Sequence, residues 1–337
     1  MGKLAQHLHL GVRGAVSVAL ERDALQPGDA LTGRVTLAVH KPIREAVLKV
    51  RVHGQQGLYW LTSTGESTLS HTQTVDHLVE ETVLEPQGSD FDVGETEYAF
   101  TFYLPEDLQH NFSYSCKRVE ELQAVRVHVQ YAVVATLSVR GVATADLQGQ
   151  TTFTVEPLPM AVPVGKPVVA MHDEDVKFLS MFKRGSCGVS LVLDNDVHDP
   201  MSTIFARVTL QLETTRSLKY LRLVLYEDAF VDRHNNLFRG LKRGTRVVCA
   251  RRFDRAMLGA LSGPNPTELK LQLPIAQNEI AEFEPLNPTM TSHFVNVNYR
   301  VAVECKLSLS QKIKVDAPVT MVRKLITPVD SPTAMGA

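Results

Sequence analysis

The sequence is poor in cysteine and contains no long hydrophobic run. Its 337 residues include four cysteines, Cys116, Cys187, Cys249 and Cys305, none of them in a CxxC pair. Each lies in or beside an apolar run, which favours buried free thiols in a reducing compartment over disulfides. No apolar stretch approaches the roughly 20 residues that cross a bilayer, and the N-terminus lacks the hydrophobic core of a signal peptide. We therefore expect a cytoplasmic protein.

The chain also lacks an excess of charge of either sign. Its 35 lysines and arginines nearly balance 37 aspartates and glutamates, and the formal net charge is -2. With such a balance, the electrostatics of the whole protein favour neither nucleic acid nor a membrane. A partner that is recognised through charge must therefore be bound by a local patch.

The motifs that mark common catalytic and cofactor sites are absent from the sequence. Its 12 histidines form neither an HExxH motif nor a Cys/His zinc pattern, and no GxSxG, Walker or GxGxxG sequence occurs. We predict a protein that is not an enzyme and that has no cofactor and no metal site. Asp194, Asp196 and Asp199 could suggest a calcium loop, but a single acidic loop is more typical of a polar turn.

Alternation of apolar and polar residues is the dominant pattern of the chain. It runs through 31–39, 46–52, 188–193, 206–212 and 220–225. Period-two segments bounded by Pro, Gly, Asn and Asp at short spacing predict the strands of an antiparallel sandwich. Helical signals are confined to one turn at Asp107–Gln109 and a short piece at Arg118–Leu122.

This pattern occurs twice along the chain. A strand ending in Leu104-Pro105 precedes an alternating strand around Tyr131, and a strand ending in Leu273-Pro274 precedes one around Tyr299. The prolines are 169 residues apart and the tyrosines 168, which suits two similar domains in tandem. The prolines of 157–167 prevent a continuous strand and mark the joint. We predict domains at 8–158 and 168–326, and a disordered tail at 327–337.

Several of these segments resemble the arrestin family. Gln26–Val35 resembles the PGD-x-V-x-G-x-V segment that opens arrestin-like N-terminal lobes, especially those of alpha-arrestins. Tyr98–Pro105 is similar to their F-x-F-x-LP strand, the strand around Tyr131 to their Y-x-V-x-A strand, and Lys183–Asn195 to the start of their C-terminal lobe. The resemblance implies an all-β fold of two immunoglobulin-like β-sandwich lobes. It also implies a non-enzymatic cytoplasmic adaptor, which links membrane-protein cargo to trafficking or signalling machinery at the endosomal or plasma membrane.

The chain departs from the best-known members of that family. It has no PPxY motif for ubiquitin ligases, and Gln150–Val155 lacks the arginine of the phosphate-sensing core. The arrestin-like subunit of retromer lacks both features as well. A structural subunit of a retromer-like endosomal coat is therefore an alternative to a transient adaptor.

The densest charge feature of the sequence is a cationic segment in the second half. Residues 233–255 contain eight cations and one aspartate, Asp254, and Asp232 directly precedes them. The cations are Arg233, Arg239, Lys242, Arg243, Arg246, Arg251, Arg252 and Arg255. Gly240 and Gly244 flank Lys242-Arg243 and suggest a hairpin loop. We predict that Arg239, Lys242, Arg243, Arg246, Arg251 and Arg252 bind anionic lipid headgroups or inositol phosphates. The alternative is an edge strand whose charges prevent pairing between sheets.

Three further features of the sequence carry weaker predictions. Trp60, the only tryptophan, is expected to pack in the core or at an edge. The polar run Leu61–Asp76 is expected to form a loop suited to recognition. Glu279, Glu282 and Glu284 lie in a loop that resembles the arrestin lariat; they are expected to be solvated, or else to pair with the cationic segment or Arg13.

Overall fold

The computed structural model describes an all-β protein. The described residues are 13–63, 65, 67–139, 146–158, 164–178, 182–214, 216–234, 239–258, 265–276, 286–308 and 312–322. The chain divides into two compact units, residues 1–160 and 161–337. The division falls inside the proline-rich segment 157–167, and the predicted tail at 327–337 lies outside the described residues.

The N-terminal unit contains nine strands within its described ranges. They are β1 (Gly14–Leu20), β2 (Ala24–Leu25), β3 (Ala30–Val39), β4 (Ile43–Ser63), β5 (Thr68–Phe91), β6 (Gly94–Tyr103), β7 (Ser113–Val119), β8 (Leu122–Val139) and β9 (Leu147–Val155). One sheet has the order β1-β3-β6, and the other has the order β2-β9-β8-β4-β5, with β7 paired to β8.

Alternate side chains of these strands form the core of the N-terminal unit. Leu31, Gly33, Val35 and Leu37 of β3 are buried, whereas the alternate residues Thr32, Arg34 and Thr36 are at least partly exposed. Trp60 is fully buried and stacks on the His71 ring at a centroid distance of 5.0 Å, which confirms its predicted packing role.

The PGD segment forms a tight turn between β2 and β3. The amide of Asp29 donates to the Gln26 carbonyl at 3.1 Å, and the Asp29 carboxylate accepts the Gln26 amide at 3.0 Å. Gly28 has a φ of 87°, a left-handed conformation that glycine adopts without a steric penalty. The glycine and the aspartate of this motif therefore both stabilise the turn.

The C-terminal unit contains ten strands and one short helix within its described ranges. They are β10 (Val168–Phe178), β11 (Phe182–Leu193), β12 (Val197–His198), β13 (Thr203–Thr214), β14 (Leu218–His234), β15 (Arg239–Asp254), α1 (Arg255–Leu258), β16 (Thr267–Pro274), β17 (Met290–Thr291), β18 (Val295–Leu307) and β19 (Lys312–Met321). Its sheets have the orders β10-β11-β13-β16 and β12-β19-β18-β14-β15, with β17 paired to β18.

One sheet of each unit repeats the same topology, whereas the other sheet has three strands in the first unit and four in the second. The order β2-β9-β8-β4-β5 in the first matches β12-β19-β18-β14-β15 in the second, including the parallel pairing of the short first strand. Tyr131 of β8 donates its hydroxyl to the Gln109 carbonyl, and the Tyr299 hydroxyl of β18 lies 2.8 Å from the Asn287 carbonyl. The predicted fold of two tandem β-sandwich lobes is confirmed.

Two local predictions are wrong. The polar run Leu61–Asp76 is not one long loop, because its described residues include the end of β4 and the first nine residues of β5. The segment Arg118–Leu122 is not helical but forms the turn between β7 and β8, where Glu120 has a φ of 51°. An edge strand that is exposed to water can carry Ser, Thr and His side chains, as a loop does. The polarity of the segment therefore did not distinguish this strand from a loop.

The four cysteines are free thiols, as predicted. Cys187, Cys249 and Cys305 are buried, and Cys116 is half-buried. Burial raises the pKa of Cys187 to about 11 and that of Cys249 to about 12. These thiols are therefore packing residues rather than reactive thiolates at neutral pH.

Candidate functional site: the charged sheet of the C-terminal unit

All six predicted anion-binding residues lie in one edge strand. This strand is β15, which pairs with β14 and ends the sheet. Lys242 lies opposite Val231, and Arg243 lies opposite Phe230. The predicted hairpin loop at Lys242-Arg243 is therefore wrong, since both residues are in the strand. Neighbouring side chains of a strand point to opposite faces, so the cationic segment is divided between two faces.

The inner face of this sheet is the side that carries the buried residues Leu221, Leu223 and Val231 of β14, and the outer face is the opposite side. Register with β14 places Lys242, Arg246 and Arg251 on the inner face and Arg243 and Arg252 on the outer face. Because of the irregularity between Leu225 and Tyr226, Val248 has no partner in the register, and the alternation of β15 between the two faces shifts by one residue there. Only the backbone of Arg239 is described. The structure thus does not gather the six residues at one surface.

On the inner face, Arg246 holds a buried carboxylate. Its Nη2 lies 2.7 Å from Oε2 of Glu227, which is 1% exposed. The Tyr299 hydroxyl lies 2.9 Å from the same oxygen, and burial, reinforced by the Glu227 charge, raises the pKa of Tyr299. A buried carboxylate needs such a partner. The charge of Arg246 is therefore compensated within the protein.

Arg251 also has an internal role on the inner face. Its Nη1 donates to the carbonyl of Gln272 in β16 at 3.4 Å, and its guanidinium lies 5.3 Å from the centroid of the Phe253 ring. Because β16 belongs to the other sheet of the unit, Arg251 connects the two sheets at their edge. Its side chain nevertheless remains exposed.

The outer face gathers cations that are distant in sequence. The pairings of β14 with β15 and β18, and of β18 with β19, place side chains from four strands on this side. Its cations are Arg222, Arg243, Arg252, Arg300, Lys306, Lys312 and Lys314, and its carboxylates are Asp228, Asp232, Asp254, Glu304 and Asp316. The sequence prediction included only cations of β15, which lie close together in sequence. It missed the cations that β14, β18 and β19 contribute to the outer face.

Asp228 is buried beneath this face and is bound by its cations. Arg300 Nε lies 2.6 Å from Oδ2, Thr245 donates its hydroxyl to Oδ1, and Arg243 Nη2 lies 3.7 Å from Oδ1. Burial alone raises the pKa of Asp228, but the hydrogen bonds and charges of these partners outweigh it, and the net pKa is lowered. Asp228 is therefore a carboxylate that fixes Arg300 in the sheet.

Glu304 has the same relation to a second set of cations. Lys312 Nζ lies 3.0 Å from Oε2, Arg222 Nη1 lies 3.6 Å from Oε2, and the Tyr226 hydroxyl donates to Oε1. Burial raises the pKa of Glu304, but the hydrogen bonds from Tyr226 and Lys312 and the nearby charges lower it below its usual value. Together, Asp228 and Glu304 compensate only part of the positive charge of the outer face.

Aromatic rings hold further cations on the outer face. The Arg300 guanidinium lies 4.5 Å and the Lys314 ammonium 4.3 Å from the centroid of the Tyr226 ring. The Arg252 guanidinium lies 4.2 Å from the centroid of the Tyr220 ring. Burial and the adjacent Arg300 charge lower the pKa of Lys314. These cation–π contacts restrict the side chains. Arg252 also pairs with Asp254 at 2.8 Å, and Arg300 pairs with Asp316 at 3.4 Å as well as with Asp228, so carboxylates compensate part of the charge of both arginines.

The acidic segment at Asp194–Asp199 forms turns, as expected. Asp196 accepts the Lys166 amide at 2.7 Å, Asp199 accepts the Met201 amide at 2.7 Å, and Asp194 pairs with Arg207 at 2.8 Å. The described residues contain no group of three or more His, Cys, Asp or Glu that could hold a metal ion. Glu279, Glu282 and Glu284 lie outside the described residues, so their predicted role stays a prediction.

The comparison with protein families identifies the N-terminal unit. The family model of the arrestin (or S-antigen) N-terminal domain matches residues 16–158, which span β1 to β9. Within the described part of the chain, no helix is long and apolar enough to cross a membrane. The N-terminal unit therefore matches the arrestin N-terminal domain, and the PGD turn and the repeated sandwich support an arrestin-like family for the chain.

Proposed function

We propose that this protein is a non-enzymatic adaptor that links cytoplasmic regions of membrane proteins to intracellular trafficking or signalling machinery. The observation that carries the proposal is the match of residues 16–158 to the arrestin N-terminal domain. The repeated sandwich supports it, because rigid strands with exposed connections form a scaffold for protein partners. In this proposal the protein acts in the cytoplasm and associates peripherally with the endosomal or plasma membrane.

Proximity labelling with the full chain as bait tests this proposal. We expect enrichment of membrane proteins with cytoplasmic segments and of trafficking components over an unrelated cytoplasmic bait. Recovery of neither class would contradict the adaptor function. Size-exclusion chromatography of the same lysate separates the alternatives: a structural coat subunit migrates with one fixed complex, whereas a transient adaptor is found mainly outside such a complex.

A second candidate function is binding of phosphate-bearing anionic headgroups by the outer face. Strands lie about 4.8 Å apart, so cations on four neighbouring strands form a surface that several phosphate oxygens contact together. The cation–π contacts of Arg252, Arg300 and Lys314 orient their side chains. Charge-assisted hydrogen bonds to phosphate are among the stronger polar contacts. The six residues first predicted share this function only where they reach the outer face.

Two adjacent arginines provide a matched test of the headgroup candidate. We expect Arg252→Glu on the outer face to lower flotation with phosphoinositide-containing liposomes by about fivefold or more, whereas Arg251→Glu on the inner face should retain most binding. Both variants change the charge equally and alter exposed side chains. Equal losses would contradict a site on the outer face. Competition by soluble inositol hexakisphosphate would show that the site accepts a free phosphate, and lack of competition would restrict it to the lipid surface.

A further inference from the structure

Strand β5 is an edge strand whose segment Val79–Val83 carries no lysine, proline or bulge. It ends the order β2-β9-β8-β4-β5, and no strand in the described part of the chain pairs with its second edge. Edge strands commonly carry lysine, proline or a strong bulge, which discourage pairing with another chain. Pro86 lies near the end of β5 and an irregularity lies between Asp76 and Leu78, but the segment Val79–Val83 contains no lysine, arginine or proline and pairs with β4 in continuous register. The equivalent edge strand of the C-terminal unit, β15, carries the cationic segment instead.

The centre of β5 is open on both faces as well as along its edge. Val79, Glu81 and Val83 point to one face, Glu80 and Thr82 point to the other, and all five are exposed. Val79 and Val83 are 49% and 51% exposed. The edge of β5 that faces β4 is paired without interruption through this segment, from Val79 opposite His53 to Val83 opposite Lys49. The strand is therefore held in an extended conformation while its outer backbone groups remain accessible.

The charge of β5 determines which chain it can accept. The strand contains five carboxylates, Asp76, Glu80, Glu81, Glu85 and Asp90, and no lysine or arginine. Glu81 is partly compensated by Lys49, at 2.7 Å, whereas Glu80 extends from the opposite face. A second β5 placed against the first would bring carboxylates together, and like charges directly opposite destabilise a strand pair. Charge complementarity favours a cationic strand.

We propose that β5 binds an extended, basic peptide segment of a partner protein by strand addition. In this mode, backbone hydrogen bonds to the free edge supply affinity, and alternate side chains supply specificity. Lysine or arginine of the added strand would lie near Glu80, and small apolar residues would lie beside Val79 and Val83. This surface is separate from the outer face of the C-terminal unit, and the inference does not depend on the adaptor or headgroup functions.

A labelled short peptide that alternates lysine with valine or threonine serves as the probe. Fluorescence anisotropy with the full chain should show saturable binding. The same peptide with N-methyl groups on alternate residues keeps its charge but loses backbone donors, and its affinity should be lower by about tenfold or more. Equal affinity of the two peptides would overturn strand addition, as would the absence of saturable binding by the first peptide.

A matched pair of variants locates the site. Glu80→Lys in β5 should weaken binding of the unmodified peptide by about fivefold or more, whereas Glu106→Lys, an exposed residue of the turn after β6, should change it by less than about twofold. Both variants alter one exposed carboxylate, so neither should affect folding. Equal effects of the two would assign the binding to diffuse charge and overturn the proposal. The chain could instead dimerise through this edge. If dimerisation prevents peptide binding and is lost in Glu80→Lys, the edge binds a second copy of the chain, and the proposal is overturned.

Discussion

Tyr131 and Tyr299 occupy equivalent positions, but they face different partners. Tyr131 lies opposite Gly54 in β4, and Tyr299 lies opposite Glu227 in β14. The first unit thus places an aromatic ring over bare backbone, whereas the second places a hydroxyl beside a buried carboxylate. At this one position, the N-terminal unit places a ring on glycine backbone, whereas the C-terminal unit contains the Glu227–Arg246 ion pair.

The space above Gly54 yields a prediction for the N-terminal unit. A methyl group at this position would overlap Cδ1 and Cε1 of Tyr131, whose ring is buried and packs on Phe153. Since the ring cannot move freely, we expect Gly54→Ala to lower the free energy of unfolding by about 1–3 kcal/mol. Urea denaturation followed by the fluorescence of Trp60 reports on this unit specifically, because Trp60 is the only tryptophan.

A surface substitution in the same unit provides the control for Gly54→Ala. Thr72→Ala changes an exposed side chain of β5 and should alter the free energy of unfolding by less than about 0.5 kcal/mol. A Gly54→Ala protein as stable as the parent would show that the Tyr131 ring has another position available.

At the scale of elements, strand alternation explains what sequence reasoning could and could not predict for the site. Period-two patterning and the glycine turn correctly predicted the strands and the sandwich. The six cations of β15 lie close together in sequence, but successive side chains of a strand point to opposite faces, so the cations are divided between the two faces of the sheet. The outer face depends instead on the register among β14, β15, β18 and β19, which a sequence pattern does not specify. The pairing of Arg300 with Asp228, 72 residues away, has no local signal.

The buried carboxylates of β14 and β18 predict a dependence of stability on pH. The folded-state pKa of Asp228 is lowered from 3.8, so Asp228 contributes stability above about pH 3.8, which is lost as the pH falls through the folded-state pKa. Glu304 is lowered from 4.5 and acts in the same direction. We expect the parent protein to lose stability as the pH falls below about 4.5.

Substitution of Asp228 isolates its share of this effect. Asp228→Asn should be less stable than the parent at neutral pH, because Arg300 loses the nearer of its two charged partners. The difference should shrink as the solution is acidified toward about pH 3. Thermal melting across this range measures both, with Asp254→Asn at an exposed position as the control. A difference between Asp228→Asn and the parent that stays constant with pH would contradict a lowered pKa at Asp228.

At the scale of the whole molecule, the balanced net charge conceals two units of opposite sign. Residues 1–160 contain 12 lysines and arginines and 19 aspartates and glutamates, a formal charge of -7. Residues 161–337 contain 23 and 18, a formal charge of +5. The acidic edge of β5 and the cationic outer face follow this division. Counting the charges of each half of the sequence separately is sufficient to reveal it, because the division depends on composition alone.

This division predicts the behaviour of the chain after cleavage at its joint. Each unit contains two sheets and a buried core of its own, so a protease site inserted between Val164 and Gly165 should yield two folded fragments. Because their charges are opposite, we expect the N-terminal fragment to bind an anion exchanger and the C-terminal fragment a cation exchanger near neutral pH. Circular dichroism should retain the β-sheet signal of the uncleaved control in both fragments. Precipitation of either fragment, or loss of its β-sheet signal, would mean that the units depend on each other for folding, and that the repeat in the sequence is not a repeat of independent domains.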